Sequence, residues 1–596
     1  MKKIVLVSLN AKYIHTNLAI RYLETYYREH YNEQYPVEFV RKEYTINQQL
    51  ADIVADLYLQ KADVIGFSCY IWNVDSILKV IRNFKKVAPR VKIVLGGPEV
   101  SFDSKERMLA YPEIDYIICG EGEDAFAKLM LTLDLPSTEL QDTLIGISYR
   151  DPISQEIIEA KQQVKIKELA KIPSPYGDNF DPLDFQYRII YYESSRGCPY
   201  SCQYCLSSTD QGVRFFPIEQ VKSDLKKFIE AKVKQVKFVD RTFNCAPKYA
   251  MDLFRWIIEH QQGFTNFHFE ISADLLTDEM LEFLKGAPLG LFQFEIGVQS
   301  THDQTLDAIQ RKMDFQKLKE AVLRLQEGAN IHQHLDLIVG LPHEDFQRFA
   351  QSFDDVYKLQ PDKLQMGFLK VLKGSGMRMR EQEYGFIYMD EPPYEILQTN
   401  DLTYDDVILL RDIEHILDHY YNSHQFTHTL AYLIAQEKSP FEFYERFAQY
   451  ASAQGFFEKS HSQGAMYDFL FAFVSATSDS NDAKVSIVRD FMKFDFVRLS
   501  PHGKLPDVLH NYTSDDLKKK KQVLVSDPTV IEQYYPQYAQ LNMRNLSKYV
   551  QIESFQYDIM NTMEQRTTYY LFVYHDDPLN FKRADWYDVT EQIKQI

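Results

Sequence analysis

Three cysteines of this sequence crowd into eight residues. Cys198, Cys202 and Cys205 follow one another at spacings of four and three. Thiolates at this spacing can wrap one corner of an iron–sulfur cubane and leave one iron without a protein ligand. An open coordination site is what a catalytic metal centre needs. The loop therefore predicts a 4Fe-4S cluster that takes part in chemistry. A zinc site is the alternative, but it would need a fourth Cys or His nearby, and the closest histidines, His260 and His268, lie far along the chain.

The other three cysteines are scattered. Cys69, Cys119 and Cys245 stand far apart in a chain of 596 residues. Six cysteines in so long a chain do not make a disulfide framework. They are also too few for a second cluster, so the sequence predicts one cluster site.

The segments that must position these residues alternate between strand and helix. Apolar strands are predicted at 3–10, 37–40, 64–69, 92–95 and 116–119, with helical patterns between them. Five such units predict a parallel, doubly wound sheet in the flavodoxin-like order 2-1-3-4-5. Ligands of such a sheet bind beyond the carboxyl ends of its strands, here at the loops 10–15, 68–74, 96–101 and 120–123.

A second alternating series begins near residue 188. Its six strands are predicted at 189–194, 236–240, 267–271, 291–298, 335–339 and 364–369. This series predicts a partial (β/α)6 barrel with its chemistry on the loops at the carboxyl ends of the strands. The three cysteines follow the first strand, where a catalytic centre is expected.

The whole chain is therefore predicted as an α/β protein of four parts. Residues 1–135 form the flavodoxin-like domain, and 136–180 form a linker with a hairpin of 144–149 and 156–159. Residues 181–395 form the partial barrel. Residues 396–596 form a mainly helical domain, with aromatic-rich helices at 402–421, 441–453 and 464–475 and a short β tail that includes 569–574.

Composition excludes some classes of function. The formal charge of −19, from 66 basic and 85 acidic residues, does not favour binding to a nucleic-acid backbone. The sequence contains no stretch of about 18 apolar residues, which is the length that a membrane-spanning helix needs. The apolar run near the amino terminus ends at Leu9 without a small-residue cleavage site, so we predict a cytoplasmic protein.

The cysteine loop resembles the signature of the radical S-adenosyl-L-methionine (SAM) family. It has the family's C-x3-C-x2-C spacing with an aromatic residue, Tyr204, before the last cysteine. Residues 294–300, with their G-V-Q-S end, and 335–342 followed by Glu344 resemble two further family segments, and 373–377 stand where many members have G-T-x-L. The resemblance implies that SAM binds the open iron and is cleaved by one electron to a 5′-deoxyadenosyl radical, with an electron donor such as flavodoxin or ferredoxin.

Polar residues at the strand ends are the candidates for holding SAM. Carboxylates suit ribose hydroxyls and an ammonium group, and Gln and Ser suit polar tails. By strand-end position the candidates are Asp240, Glu270, Glu295, Gln299 and Ser300. A G-G-E segment, which many members of the family carry after the cluster loop, is missing here.

The first domain resembles the cobalamin-binding class of this family. The matching segments are 94–99 and 119–123, whose glycines allow a bulky cofactor to approach the backbone closely. The resemblance implies a set of cobalamin contacts: His15, Ser68, Gly96, Gly97, Gly120, Glu121 and Gly122. The sequence departs from the D-x-H-x-x-G pattern of a cobalt-ligating histidine, because Tyr13 and Leu18 stand where Asp and Gly are expected.

Together these resemblances imply a cobalamin-dependent radical SAM enzyme that transfers a methyl group to an unactivated carbon of an unknown substrate. A radical rearrangement or another non-methylating reaction is one alternative. A methylthiotransferase acting on transfer RNA is a second, although its first domain would need three cysteines. A sensor without turnover is the third.

Overall fold

The structure is a computed structural model. It describes residues 1–133, 144–151, 153–161, 163–177, 180–209, 212–477, 482–501, 503–510, 515–575 and 584–596. The chain divides into two compact units. The first contains residues 1–333, 338–345 and 367–403, and the second contains 334–337, 346–366 and 404–596. The four-part division from the sequence stays a prediction, and part of its linker lies outside the described residues.

The first unit begins with a seven-stranded sheet. Its strands are β1 (Lys2–Asn10), β2 (Val37–Thr45), β3 (Val64–Ser68), β4 (Lys92–Gly96), β5 (Tyr116–Ile118), β6 (Ile147–Arg150) and β7 (Ile157–Ile158). They lie in the order β2-β1-β3-β4-β5-β6-β7, with parallel pairing from β2 to β5. The predicted order 2-1-3-4-5 is confirmed. The predicted hairpin is also confirmed, and it extends the sheet because β6 pairs antiparallel with β5.

Helices cover both faces of this sheet. They are α1 (Leu18–His30), α2 (Leu50–Leu59), α3 (Val74–Val87), α4 (Ser104–Ala110) and α5 (Glu123–Thr132). Helix α3 shows why they pack: its buried residues Ile77, Ile81 and Phe84 recur at intervals of three and four. This apolar stripe packs with β-strand residues such as Ile65 and Leu95 in one buried core.

A second sheet of six strands forms the partial barrel. Its strands are β8 (Ile190–Tyr192), β11 (Gln235–Phe238), β12 (Asn266–Ile271), β13 (Phe292–Gln299), β14 (His332–Val339) and β15 (Lys363–Phe368), adjacent in chain order. The helices of this region are α6 (Ile218–Glu230), α7 (Pro247–His260), α8 (Asp278–Lys285), α9 (Asp303–Ala308), α10 (Phe315–Gly328), α11 (Phe346–Tyr357) and α12 (Gly376–Met379). The predicted α/β partial barrel is confirmed.

Aromatic side chains fill the layer between β11–β13 and α7. Phe254 of α7 lies 5.3 Å from Phe269 and 5.2 Å from Phe292, measured between ring centroids. Phe238 stacks on Phe269 at 4.5 Å. Rings of this size bury much apolar area and pack edge to face, so they hold the strand ends that carry the polar residues in a fixed layer.

The first barrel strand differs from the prediction. Residues 189–194 were expected to form one strand, but β8 ends at Tyr192 and a separate strand, β9 (Ser195–Cys198), follows. β9 pairs antiparallel with β10 (Gly212–Phe215). The cysteine loop is therefore the connection of a hairpin, because β9 and β10 enclose it.

The second unit contains α11 and most of the chain after residue 403. Its helices are α13 (Tyr404–Ile416), α14 (Thr427–Ile434), α15 (Pro440–Ala453), α16 (Gln463–Thr477), α17 (Asp482–Leu499), α18 (Asp515–Val525), α19 (Pro528–Tyr534), α20 (Met543–Leu546) and α21 (Thr590–Gln595). Its sheet is antiparallel, in the order β16 (Val550–Phe555), β17 (Thr568–Tyr574), β18 (Ala584–Asp588). The prediction of a mainly helical region with a short β tail is confirmed.

Many of the aromatic residues of this unit are core residues. Tyr444, Phe447 and Tyr467 are fully buried. Phe447 stacks on Phe473 at 4.5 Å between ring centroids. In the part of the chain that the structure describes, no helix has the length and apolar character needed to cross a membrane.

Candidate active site

One cavity of about 920 Å³ lies in the first unit, at the carboxyl ends of the strands of both sheets. One wall comes from the rim of the first sheet, including Asn10, Ser68, Gly97 and Gly120. The other wall comes from the barrel and the cysteine hairpin and includes Tyr191, Gly197, Leu206, Arg241, Glu270 and Lys373. The two predicted binding edges therefore face a single space.

The three thiols of the hairpin loop are partly to fully buried. Cys202 is buried and Cys198 and Cys205 are half-buried. Polar groups lie near them: the Thr242 hydroxyl is 3.8 Å from the Cys198 sulfur, and the Ser207 backbone N–H is 3.4 Å from the Cys205 sulfur. Burial raises the pKa of Cys198. The empty loop therefore holds this thiol in its protonated form, and a bound metal would displace the proton.

Within the described ranges, no three His, Cys, Asp or Glu side chains converge closely enough to hold a single ion. A tetrahedral zinc site requires such convergence. A cubane cluster does not, because each thiolate binds a different iron.

Arg311 is a residue that sequence reasoning missed. Its guanidinium is 3.9 Å from the sulfur of Cys202 and 3.3 Å from the Tyr204 hydroxyl, and it donates to the carbonyl of Gly297. Burial alone would lower the pKa of Arg311, but Tyr204 and Cys202 beside it raise that pKa. Arg311 therefore adds a fixed positive charge beside the cluster loop. Its only sequence signal was a lone arginine just after α9.

Asp240 holds the cluster hairpin in place. Its carboxylate is buried and accepts hydrogen bonds from the Ser194 backbone N–H at 2.9 Å, the Ser194 hydroxyl at 2.7 Å and the Ser195 hydroxyl at 2.6 Å. It is absent from the cavity wall described above. The structure does not bring this predicted SAM contact to the cavity, so the role of Asp240 in SAM binding stays a prediction.

Glu270 and Arg241 both line the cavity. Burial raises the pKa of Glu270, and the charge of Arg241 opposes that rise. A carboxyl held in this way favours a ligand that brings a positive or hydrogen-bond-donating group to it. Of the five predicted SAM contacts, Glu270 is the one that the structure places on the cavity wall.

Glu295 lies in an ion network inside the barrel. It pairs with Lys237 at 3.0 Å and with the Nε2 of His268 at 2.9 Å. Burial alone would raise the pKa of Glu295, but the His268 hydrogen bond and the Lys237 charge lower it to about 2. Lys237 lines the cavity and Glu295 does not, so the SAM contact of Glu295 stays a prediction.

The two remaining predicted contacts end β13. Gln299 has a φ of +73°, which is strained for a residue other than glycine. Ser300 is fully buried and donates to Glu344 at 2.7 Å. That bond joins the G-V-Q-S end to the segment after β14, so the two family segments contact each other. Their SAM contacts stay predictions.

Two glycines on the opposite wall hold conformations that favour glycine. Gly97 has a φ of +114° and Gly120 a φ of +99°. A Cβ at Gly97 would overlap the backbone of Cys69, and one at Gly120 would overlap the backbone of Val164. The rim therefore presents bare backbone to the cavity. Gly96, Gly122 and Ser68 line the same wall, so this surface fits a large ligand that packs against main chain.

Two of the polar residues predicted to contact cobalamin already have partners. The Nδ1 of His15 is 2.7 Å from the Tyr191 hydroxyl, and burial followed by the charges of Lys12 and Lys237 lowers the pKa of His15. The Glu121 carboxylate pairs with Arg214 at 2.6 Å. Both residues line the cavity, and their cobalamin contacts stay predictions.

A stacked aromatic pair at the end of β3 was not predicted. The rings of Tyr70 and Trp72 lie 4.5 Å apart at an interplanar angle of 4°. Both line the cavity. The sequence places Tyr70 and Trp72 in the predicted rim loop 68–74, but it does not show how their rings are oriented.

Comparison with known families identifies the two walls. The B12 binding domain matches residues 4–130, and the radical SAM superfamily matches residues 192–356. The first range contains the glycine rim and the second contains the cysteine hairpin. The chain carries the two domains of the cobalamin-binding radical SAM family. A third match, to a family described as a protein of unknown function, DUF4080, covers residues 382–572.

The predicted cofactors of this family are confirmed by the two domains: a 4Fe-4S cluster, SAM and cobalamin. The donor set fits them. Three thiols lie on one loop, a carboxyl with a raised pKa faces the cavity, and the glycine rim leaves the backbone open. The particular residues that touch each cofactor remain predictions.

Two curated relatives are similar to this chain over part of its length. One is the 2-(S-pantetheinyl)-carbapenam-3-carboxylate methyltransferase of Streptantibioticus cattleyicolor, 25% identical over 381 residues, 59% of this chain and 54% of the relative. The other is the cobalamin-dependent radical SAM methyltransferase TokK of Streptomyces tokunonensis, 28% identical over 331 residues, 52% of this chain and 45% of the relative. The chain thus spans about half the length of these relatives.

A solved structure confirms the fold of this chain. The cobalamin-dependent SAM radical enzyme OxsB, with aqua-cobalamin and SAM bound, has a TM-score of 0.57 and 17% sequence identity. The match covers 83% of this chain and 79% of OxsB.

Proposed function

We propose that this protein is a cobalamin-dependent radical SAM methyltransferase that acts on an unactivated carbon. The observation that carries the proposal is the single cavity of about 920 Å³ shared by the glycine rim and the cysteine hairpin. A methyl carrier and a radical initiator must both reach one substrate atom. A common cavity at the ends of both sheets supports that arrangement.

The bound cofactors would supply the chemistry, namely one-electron activation of a carbon by the cluster with SAM and a methyl group carried by cobalamin. The chain's own task is to bind, orient and exclude water. In this proposal Cys198, Cys202 and Cys205 hold three irons and leave the fourth open. Arg311, which lies 3.9 Å from the Cys202 sulfur, keeps a positive charge beside the cluster.

Glu270 would bind SAM in this scheme. It faces the cavity, and burial raises the pKa of its carboxyl. A hydroxyl or ammonium group of SAM that donates to this carboxylate would replace the water that burial removes. Asp240 would act indirectly, because its three hydrogen bonds hold Ser194 and Ser195 immediately before the cluster loop.

The two cysteines of the first domain argue against a methylthiotransferase. Such an enzyme needs a second cluster there, but Cys69 and Cys119 are buried at 0% and 3% exposure. Burial raises the pKa of Cys69 to about 12. A thiol held protonated in a core is a poor iron ligand.

The test is an isotope experiment. The full chain, purified without oxygen and reconstituted with iron, sulfide and cobalamin, is incubated with methyl-labelled SAM, a one-electron donor such as flavodoxin or ferredoxin, and fractionated cell extract. We expect label in a small molecule or polymer of the extract, together with 5′-deoxyadenosine and S-adenosylhomocysteine. Label found only in S-adenosylhomocysteine and cobalamin would contradict the methyltransferase proposal.

Two variants serve as a matched pair. Cys198→Ala removes a cluster ligand and should abolish both products, whereas Cys245→Ala removes a half-buried thiol outside the C-x3-C-x2-C loop and should retain them. Release of 5′-deoxyadenosine with no methylated product would favour a radical rearrangement. If the wild-type protein releases no 5′-deoxyadenosine, the sensor alternative is favoured.

A further inference from the structure

Ion pairs tie the cluster hairpin to the B12 binding domain. Arg196 lies in β9, two residues before Cys198. Its guanidinium is 2.5 Å from Glu123, at the start of α5, and 2.7 Å from Glu193. The side chains of Arg196 and Glu123 are only 12% and 5% exposed. A charge pair so far from solvent is weakly screened, so it fixes the distance between β9 and α5.

A second pair lies beside the first. Arg214 is the register partner of Arg196 in the hairpin. Its guanidinium forms a two-pronged contact with Glu121, at 2.6 and 3.1 Å, and donates to the carbonyl of Ile166 at 2.5 Å. Glu121 also accepts from the Ile166 backbone N–H at 2.6 Å. We call Arg196 and Arg214 with Glu121 and Glu123 the hairpin brace.

A second brace begins at the segment that follows β15. The Nζ of Lys373 lies 2.5 Å from Asp103 and 3.7 Å from Glu99, both in the loop after β4. Tyr394 donates a hydrogen bond to the same Glu99. We call Lys373 with Glu99 and Asp103 the loop brace.

The segment of the loop brace also contacts the cysteine loop. Gly374 has a φ of +82°, and a Cβ there would overlap the ring of Phe102. A Cβ at Gly376 would overlap the side chain of Gln203, which stands between Cys202 and Cys205. The Met377 backbone N–H donates to the Gln203 carbonyl at 2.9 Å. This segment therefore contacts the B12 binding domain through Gly374 and the cluster loop through Gly376 and Met377.

We propose that the two braces are positioning elements that set the distance and angle between the cluster and the cobalamin-binding rim. One holds the chain just before Cys198, and the other holds it between Cys202 and Cys205. The inference rests on the proposed function, because only an enzyme that uses both cofactors on one methyl group needs them aligned. The step concerned moves a methyl group from the SAM sulfonium to reduced cobalt: sulfur keeps the electrons of the broken bond and cobalt supplies those of the new one.

If the braces position the two cofactors, their loss should affect two reactions of the enzyme differently. If they only stabilise the fold, both reactions should fall together. Cleavage of SAM to 5′-deoxyadenosine needs the cluster loop and the SAM site of the barrel, but not the cobalamin-binding rim. Methyl transfer from SAM to cobalamin needs the loop and the rim in register. Loss of a brace should therefore impair the second reaction much more than the first.

The variants are Arg214→Met for the hairpin brace and Asp103→Asn for the loop brace. The matched control is Lys85→Met. Lys85 pairs with Asp115 at 2.8 Å in the same domain, and the two side chains are 14% and 20% exposed, against 20% and 16% for Arg214 and Glu121. The control removes an equally buried ion pair away from the hairpin, at the amino-terminal ends of β4 and β5.

The experiment uses the full chain reconstituted with cluster and cobalamin. We expect S-adenosylhomocysteine formation to fall at least tenfold in Arg214→Met and Asp103→Asn, while 5′-deoxyadenosine formation stays within twofold and Lys85→Met changes neither. The second readout is the magnetic interaction between cob(II)alamin and the reduced cluster in the electron paramagnetic resonance spectrum, which depends on their separation. It should weaken or broaden in the two brace variants.

Wild-type spectra and product ratios in both brace variants would overturn the proposal. If the wild-type protein forms no S-adenosylhomocysteine, the proposed function fails, but the spectral readout still tests the braces. If a variant does not load cobalamin, hydrogen exchange of the apo-proteins decides. Faster exchange confined to residues 195–205 and 97–103 supports the inference, and a uniform increase over β1–β5 refutes it.

Discussion

Alanine substitutions of two adjacent glycines in the cavity rim should have different effects, one on the stability of the fold and the other on cofactor binding. Gly97 has a φ of +114°, and an added Cβ would overlap the carbonyl of Cys69. Gly96 has an ordinary φ, and its added Cβ would lie 3.9 Å from the nearest atom, the Cβ of Ile118. Both line the cavity. Alanine at Gly97 should therefore disturb the fold, and alanine at Gly96 should disturb only what packs against the rim.

The two substitutions should change the free energy of unfolding in opposite directions and by different amounts. A positive φ for alanine costs about 1–3 kcal/mol, and relief of the overlap with the Cys69 backbone adds to it. We expect Gly97→Ala to lose about 3 kcal/mol or more of unfolding free energy, which corresponds to roughly 6–12 °C in melting temperature for a domain of this size. Gly96→Ala should gain about 0.4–1 kcal/mol, because alanine has less backbone freedom in the unfolded chain.

The assay has two parts. Thermal and urea unfolding of the apo-proteins measures the stability of each variant against wild type. Absorbance titration with hydroxocobalamin then measures binding, where we expect Gly96→Ala to bind at least tenfold more weakly, or by about 1.4 kcal/mol. A Gly97→Ala protein as stable as wild type would refute the steric reasoning. Wild-type affinity in Gly96→Ala would show that cobalamin does not pack against this backbone.

Three further predictions follow from single contacts. Cys198→Ala should lose the iron content and the reduced-cluster resonance signal, and Cys245→Ser should keep both; equal iron in the two variants would refute the ligand assignment. His15→Ala should leave the cob(II)alamin resonance spectrum unchanged, because Tyr13 and Leu18 replace the Asp and Gly that accompany a cobalt-ligating histidine; loss of nitrogen splitting would establish a cobalt ligand. Glu295→Gln should be less stable than wild type at pH 7 by up to roughly 3 kcal/mol. Since the pKa of Glu295 is lowered to about 2, this difference is present above about pH 4.3 and should vanish as the pH falls towards 2; an unfolding difference independent of pH would contradict it.

The architecture of the first unit could be predicted because its signals are local. Apolar strands such as 64–69 and 92–95 alternate with helices whose buried faces repeat every three to four residues, and parallel strands joined in this way have few allowed orders. The order 2-1-3-4-5 and the added hairpin both followed from such patterns. β6 pairs with β5 because β5 is the last parallel strand of the sheet and its outer edge accepts Ile147 and Tyr149.

The split of the first barrel strand could not be predicted. Residues 189–198 read as one apolar run followed by polar residues, and no glycine or proline interrupts it before Gly197. What divides the run is a contact distant in sequence. Asp240, 45 and 46 residues away, accepts from Ser194 and Ser195 and turns the chain out of the sheet. A side chain that acts across such a separation leaves no local signal.

The strand-end carboxylates show where the prediction of the site reached its limit. Asp240, Glu270 and Glu295 occupy similar positions after successive strands, and the sequence assigned all three to SAM. In the structure only Glu270 faces the cavity; Asp240 is bound by serines and Glu295 by Lys237 and His268. Whether such a carboxylate can bind a ligand depends on whether other residues of the protein already bind it. Those residues are distant in sequence and are brought close only by the fold.

The cysteine loop likewise indicates which cofactor binds but not which reaction the cofactor carries out. The spacing of Cys198, Cys202 and Cys205 sets how many irons they can bind, because that depends on the loop alone. The direction in which a bound cluster would face depends on three residues that hold the loop. Asp240 binds Ser194 and Ser195 immediately before the loop, Arg311 lies beside it, and Gln203 lies within it. A variant of any of these should keep the iron content and change the reaction, whereas a cysteine variant should lose both.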